Sequence, residues 1–577
     1  MPGLLGTSII GAADSMSLSP LPASFYLLAG VIAFVGWYLV PFLYDPFKLR
    51  RSTIPGPKLA GFSNLWLAYV SAKGHRSTSI HELHQRYGKL VRIAPDHVSI
   101  ADSKAVEILY AHGSNGSLKS DFYDAFVSIN DALFSTRNRA AHARKRKLVS
   151  AAFSLQNVLH FEPHVRRHIR LFFAQWDLRV AKAVQGTIEG ARGGWSFFNV
   201  PSHFNYLAFD IIGDLAFGKP FGMIPSQSDV VPMIDHTPEN LALGDKAKLC
   251  YVPAISVLNG RGNYSASVGV LPPWVREWVR VMPWFAKGNE DVQSLAGMAS
   301  AAVDRRLRFG VPEEEPLDEE EEIVNGGKRT DLLEKLMQGK DEHGEPMGRD
   351  ELTAEALTQM IAGSDTTSNS SCAITFHLAA NPDVQRKLQA ELDTVMPNIQ
   401  TAHPPTDIKD PTSPPLPPAA SVAKWADIKA LPYLQAVINE GMRLHSTFGL
   451  GPPRIVPKGG LDICGERFEE RTILSVPSYS LHHNRELWGD DYESFKPERW
   501  FGREPGKEYN PFSFGPRACV GRNLATLEMT IIIASIFHRY EFVLDYPGQK
   551  AGIVEGLLRK PMHCVLGMRR RPESLAE

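Results

Sequence analysis

Five cysteines occur in 577 residues, and one of them, Cys519, lies in PFSFGPRACVGRNLA (511–525), between glycines and two residues after an arginine. The residues that follow have helical character, so Cys519 sits just ahead of a helix N-terminus. Backbone N–H groups and the helix dipole there stabilise a thiolate. Gly515 and Gly521 lack the Cβ that would hold the backbone off a bulky ligand, and both can adopt positive φ. Arg517 places a cation nearby, suited to a carboxylate on that ligand. A lone thiol is most often a buried structural cysteine. The pattern F-x-x-G-x-R-x-C-x-G, formed by Phe512, Gly515, Arg517, Cys519 and Gly521, is too specific for that role. A thiolate on a flat, anionic macrocycle fits every part, which makes Cys519 the metal ligand of a haem-thiolate loop.

The other cysteines, Cys250, Cys372, Cys464 and Cys564, are far apart and form no CxxC. That spacing argues against a disulfide framework and against a zinc site. Upstream of the cysteine loop, a helical pattern runs from Glu351 to Ala380 and stops at Pro382, and a second runs from Pro432 to His445. The first carries AGSDTT (362–367). The second carries Glu440 and Arg443, three apart and so on one helix face, with Arg499 following in FKPERW (495–500). HARKRK (142–147) is a basic stretch, APDHVSIAD (94–102) reads as a short strand, and GLLRKPMHCVLGMRR near the end reads as a terminal hairpin.

Hydrophobic residues make up 44% and charged residues 22% of the chain, ordinary for a sizeable core. A net charge of −1 gives no bias toward nucleic acid. No charged residue occurs from Ser15 through Tyr44, and FYLLAGVIAFVGWYLVPFL (25–43) is close to the ~20 apolar residues that span a bilayer. Lys48, Arg50 and Arg51 follow it and no Lys or Arg precedes it, which places the body in the cytoplasm. The organisation expected is a lumenal tail (1–24), a transmembrane anchor (25–44), a Pro/Gly connector (45–58) and one large domain (59–577). The acidic run 311–331 and the proline-rich 401–421 read as solvated insertions between helices.

With these stretches in this order, the chain resembles the cytochrome P-450 superfamily. LKSDFYDAFVSI (118–129), FNYLAFDIIGDLAFGKPFGM (204–223) and ELTAEALTQMIAGSDTTSN (351–369) are similar to the fungal benzoate 4-monooxygenase family, and the similarity covers most of the body from about Gly56. The resemblance implies a mainly α fold with a minor β component, a haem b held by Cys519, and an N-terminal transmembrane helix in the endoplasmic reticulum membrane. It implies that Ala362 and Gly363 open space above the cofactor and that Asp365 and Thr366 deliver protons during oxygen activation. It gives Glu440, Arg443 and Arg499 a structural ionic cluster. His142, which stands where the family commonly has Trp, joins Arg146 and Arg454 as partners of the haem propionates.

The implied reaction is benzoate to 4-hydroxybenzoate with O2 and NADPH-derived electrons, delivered by a flavoprotein reductase. Arg139, Arg144, Lys145 and Lys147 form a basic face on which an acidic reductase could dock. By family topology the substrate pocket draws on Phe122, Tyr123, Phe126, Met360, Ile361, Ser364, Thr447, Phe448, Leu450 and Leu557. Bulky Phe448 and Leu450 leave room for a substituted benzoate or another small aromatic as the alternative substrate. A haem-thiolate isomerase or dehydratase, or a non-catalytic haem sensor, are the alternatives outside oxygenation, and the intact Asp365-Thr366 pair counts against the first.

Overall fold

The computed structural model describes residues 22–43, 49, 53–111, 118–234, 248–310, 331–340, 344–396, 414–571. Most of the acidic run and the larger part of the proline-rich stretch lie outside the described residues. The central element is the helix Arg349–Ala380, 32 residues long, two residues longer at its start than the sequence pattern indicates. Asp350 and Glu351 in its first turn oppose the positive end of the helix dipole. Helices Val200–Phe217, Pro283–Phe309, Pro432–His445 and Arg522–Arg539 pack around it. The interior they enclose is aliphatic and aromatic, with Trp176, Phe172, Phe204, Ile533 and Phe537 fully buried.

Gly363, in the middle of the long helix, costs helical propensity of about 1 kcal/mol against alanine. The structure shows what the missing side chain permits. A Cβ there would come 2.6 Å from the Ile212 side chain, so the glycine lets helix Val200–Phe217 approach closely.

Strands are few and short. One sheet has the order Leu90–Ala94, His97–Ile100, Ile473–Ser475, Arg454–Ile455, Leu118–Lys119. A second has the order Tyr540–Leu544, Val565–Arg570, Trp195–Asn199, Ala191–Arg192. The terminal stretch is therefore not a single hairpin. Arg559–His563 pairs back with Gly552–Glu555, while Val565–Arg570 lies between Tyr540–Leu544 and Trp195–Asn199. Only Cys564 separates the two strands, which is too short a connection for them to fold onto each other.

At the N-terminus, Ala23–Leu43 is a 21-residue helix on which Phe25, Leu27, Leu28 and Ile32 are exposed. Its side chains are described only as far as residue 36. Among the described residues no helix is long and apolar enough to cross a membrane.

The basic face of 139–147 is only partly a solvated face. Lys145 is buried and pairs with Glu351 and, at 3.5 Å, with Glu355, and Arg144 also pairs with Glu351. These contacts tie helix Arg139–Ala152 to the long helix and leave Arg139 and Lys147 on the exterior.

Candidate active site

The loop that carries Cys519 is held by its own backbone. The Cys519 N–H donates to the Phe512 carbonyl at 2.9 Å and the Ala518 N–H to the Gly515 carbonyl at 3.0 Å. Phe512 packs on the core beneath. Gly515 has φ +73°, and a Cβ there would lie 1.8 Å from the Tyr110 carbonyl oxygen, so no other residue fits. Gly521 does not share this property. Its φ is −83°, as the N-cap of helix Arg522–Arg539, and its use is spatial, since a Cβ would come within 4.0 Å of Cys519 Sγ.

Cys519 is exposed although its surroundings are dense enough for burial to raise its pKa, and we read the two together as a thiol facing a space inside the fold. Burial pushes its pKa above the ordinary thiol value, while the Gly521 N–H, Arg146 and Arg522 pull it down. A bound metal ion would deprotonate the thiol outright.

The long helix presents one open face to that space. Ala362 is exposed and Ile361 and Thr366 are half-buried, in a segment where Met360, Ser364, Asp365 and Thr367 are buried. The helical period explains the division. Residues 362 and 366 lie four apart on one face, whereas Met360 and Ser364 are two away from Ala362 and point to the opposite side. Both are fully buried, and the Ser364 hydroxyl donates back to the Met360 carbonyl at 2.7 Å. They belong to the packing of the helix and not to a ligand surface. Ala362 alone opens the face, since Gly363 is turned against Ile212.

Asp365 and Thr366 are brought to this place but do not contact each other. The Thr366 hydroxyl donates to the Ala362 carbonyl at 2.6 Å. Asp365 faces a neighbour that no local pattern singles out. Lys560 Nζ lies 2.5 Å from Asp365 Oδ2, with both side chains less than a tenth exposed, and also donates to Asn259. Asn369 Nδ2 donates to Asp365 Oδ1 at 2.9 Å. Both carboxylate oxygens are thus engaged in a buried pair of the kind in which loss of either partner is costly. Lys560 lies 195 positions away, in a strand that reads as ordinary hairpin, so no local signal could have revealed it.

A cluster of cations surrounds the same space. Arg146 donates to the Ala518 carbonyl, next to Cys519. Arg517 donates to the Thr136 carbonyl at 2.9 Å, and Arg454 to the Tyr123 hydroxyl at 2.9 Å. Lys119, another residue missed in the sequence, donates to the Leu133 and Phe134 carbonyls. Among the described residues none of these four forms an ion pair. Burial, followed by Arg517, Lys119, Arg146 and Arg454, lowers the pKa of His142 to about 3, so the imidazole among them is neutral. Burial and Arg454 bring Arg517 down to about 10. Lys119 and Arg454 are buried and Arg146 and Arg517 half-buried; uncompensated charge of one sign is expensive where it is buried, and a dianionic ligand would relieve it. The residues present fit a haem on two counts: an exposed cysteine in a glycine-shaped loop, and four basic side chains that form no ion pair among the described residues and could hold two propionates.

Beside this space, Phe122, Tyr123 and Phe126 form an edge-packed cluster with Phe134, ring centroids 5.2–5.6 Å apart, against which Leu557 packs. Such geometries add to the area they bury. The Thr447 hydroxyl shares a 2.7 Å hydrogen bond with Ser370, and Phe448 is half-buried. Leu450 is 2% exposed and is a packing residue here.

Away from the space, Glu440 accepts from Arg443 Nε and Nη2 at 2.8 and 2.9 Å and from Arg499 Nε at 2.8 Å. Trp500 Nε1 donates to the same carboxylate at 3.1 Å. Glu440 and Arg443 are fully buried, and the cluster pins the 495–500 segment to helix Pro432–His445.

The sequence profile of the Cytochrome P450 family matches residues 55–260 and 309–566. The chain is 43% identical over 568 residues to a benzoate 4-monooxygenase of Aspergillus niger, covering 96% of this chain and 99% of that one. It is 29% identical to a cytochrome P450 monooxygenase of Aspergillus terreus (85% and 90% covered), and 28% identical to a pisatin demethylase of Fusarium vanettenii (89% and 90% covered). The chain belongs to the cytochrome P450 family, whose cofactor is a haem b on a cysteine thiolate and whose monooxygenases draw on O2 and NADPH-derived electrons.

Proposed function

We propose that this chain converts benzoate, O2, two electrons and two protons into 4-hydroxybenzoate and water, with Cys519 as the haem ligand. The observation that carries the proposal is the near full-length 43% identity to a benzoate 4-monooxygenase. The aromatic cluster of Phe122, Tyr123 and Phe126 beside the open helix face supports it. Haem b, held through its thiolate, supplies the oxygen-activating chemistry.

The chain's own residues bind, orient and move protons. Arg146, Arg454, Arg517 and Lys119 would hold the propionates, with neutral His142 as a hydrogen-bond donor among them. Phe122, Phe126 and Leu557 wall the ring and exclude water. Thr366 Oγ1 is the last protonic group on the open face and gives up its bond to the Ala362 carbonyl to pass a proton on. Asp365 reloads it after its carboxylate turns away from Lys560 and takes up a proton from solvent, which it then passes to Thr366 Oγ1; the Lys560 and Asn369 contacts restrain that turn.

The apolar helix Ala23–Leu43, free of charge and followed by basic residues, tethers the chain to the endoplasmic reticulum membrane. The 25–44 segment spans it and the domain from 59 onward faces the cytoplasm. Electrons reach the domain from an NADPH-dependent flavoprotein reductase. The test is turnover of benzoate by the full chain with reductase. We expect 4-hydroxybenzoate to form only with NADPH and O2 both present. Product without reductant, or none from benzoate but product from another aromatic acid, would overturn the assignment.

A further inference from the structure

A second cavity, of about 230 Å³, lies apart from the cysteine loop and the open helix face. It is built where the start of helix Arg76–Tyr87 meets Phe122 and the 269–273 segment. Arg76 is its unusual component. The side chain is 2% exposed, and its Nε and Nη1 have no hydrogen-bond partner. Its guanidinium carbon lies 5.5 Å from the centre of the Phe122 ring.

The nearby acids have other partners. Glu555 accepts from the Ser77 N–H at 2.7 Å and from the Ser77 hydroxyl, and Asp121 pairs with Arg276 at 3.3 Å. Asp96, also in the wall, is pushed up to about 6 by burial, so a docked carboxylate is held more weakly as pH rises through that value. Buried guanidinium N–H groups left unpaired are costly. Arg76 is also the residue type that best matches a carboxylate. The remaining walls are apolar, among them Leu67, Val270, Pro272 and Pro453.

We propose that Arg76 and Phe122 form a docking site for an aromatic monocarboxylate, occupied before the acid passes the Phe122 ring into the haem chamber. The guanidinium takes the carboxylate, and Phe122 with the prolines takes the ring. Phe122 belongs both to this cavity and to the cluster beside the open helix face, so an acid docked here is one side chain away from that cluster. The identity of the acid as benzoate rests on the proposed function; the carboxylate preference rests on Arg76 alone.

The experiment uses the haem-loaded full chain with benzoate as probe, reading bound equivalents by equilibrium dialysis and the haem spin state in the same samples. Two equivalents are expected in the wild type, one of which leaves the spin state unchanged. In Arg76→Met that silent equivalent should bind about ten- to a hundredfold more weakly, and Arg76→Lys should lie between the two. Matching melting temperatures and carbon monoxide spectra show that the variants fold. A spin shift with one equivalent in every protein overturns the docking site and leaves the proposed function standing. One equivalent without a spin shift, lost in Arg76→Met, upholds the site and overturns benzoate as substrate. No binding of either kind overturns both.

Discussion

The cysteine side of the active site and the threonine side are built in different ways. On the cysteine side, residues 511–521 are held mainly by their own backbone, with Cys519 hydrogen-bonded to Phe512 and Ala518 to Gly515, and by two contacts from elsewhere, Arg146 to Ala518 and Arg517 to Thr136. On the other side, Asp365 of the long helix depends on Asn369 in its own helix, on Lys560 from the terminal strands and, through Lys560, on Asn259 from helix Ala254–Val268. The first region fixes one atom by short-range geometry. The second holds one buried carboxylate through groups from three parts of the chain.

The comparison is tested most strongly at Lys560. Lys560→Met leaves Asp365 buried without its cation, and removing one member of such a pair costs about 3–5 kcal/mol. Chemical denaturation should show that loss, and peroxide release per NADPH should change because Asp365 is no longer restrained. Unchanged stability together with unchanged peroxide release would show that the two regions are equally self-contained.

A pH-dependent effect concerns Glu528, which joins the two regions. It lies on the helix after Cys519, is 3% exposed, and accepts from Thr367 Oγ1 of the long helix at 3.1 Å. Burial raises its carboxyl pKa from 4.5 to about 8. Between those values the folded chain holds a proton that the unfolded chain has released, so stability falls as pH rises through the window and levels off above it. The slope from this group is at most about 1.4 kcal/mol per pH unit. Stability against pH in the wild type and in Glu528→Gln should differ by that slope between about pH 5 and 8. Parallel curves would remove Glu528 as the link.

What could be read from the sequence follows the same division. Cys519, Gly515 and Arg517 lie within five residues, so their shared purpose is visible in one short string. The long helix and helix Pro432–His445 were legible because their capping and proline signals are local. Lys560 and Lys119 were not, because nothing near either residue marks it as a partner of Asp365 or as a member of the cation cluster. Met360 and Ser364, which family topology puts in the pocket, are packed inside the fold instead. Two residues along a helix turn the side chain to the far side. The end of the chain was read as one hairpin because its alternation fits a strand equally well in either of two sheets.

The central claim is that Cys519 holds the haem. The reduced carbon monoxide difference spectrum of the full chain tests it, with Cys519→Ala beside the wild type. The wild type should show the red-shifted band of a thiolate-ligated haem, and Cys519→Ala should lose it. A wild type without that band, or a variant that keeps it, would contradict the account.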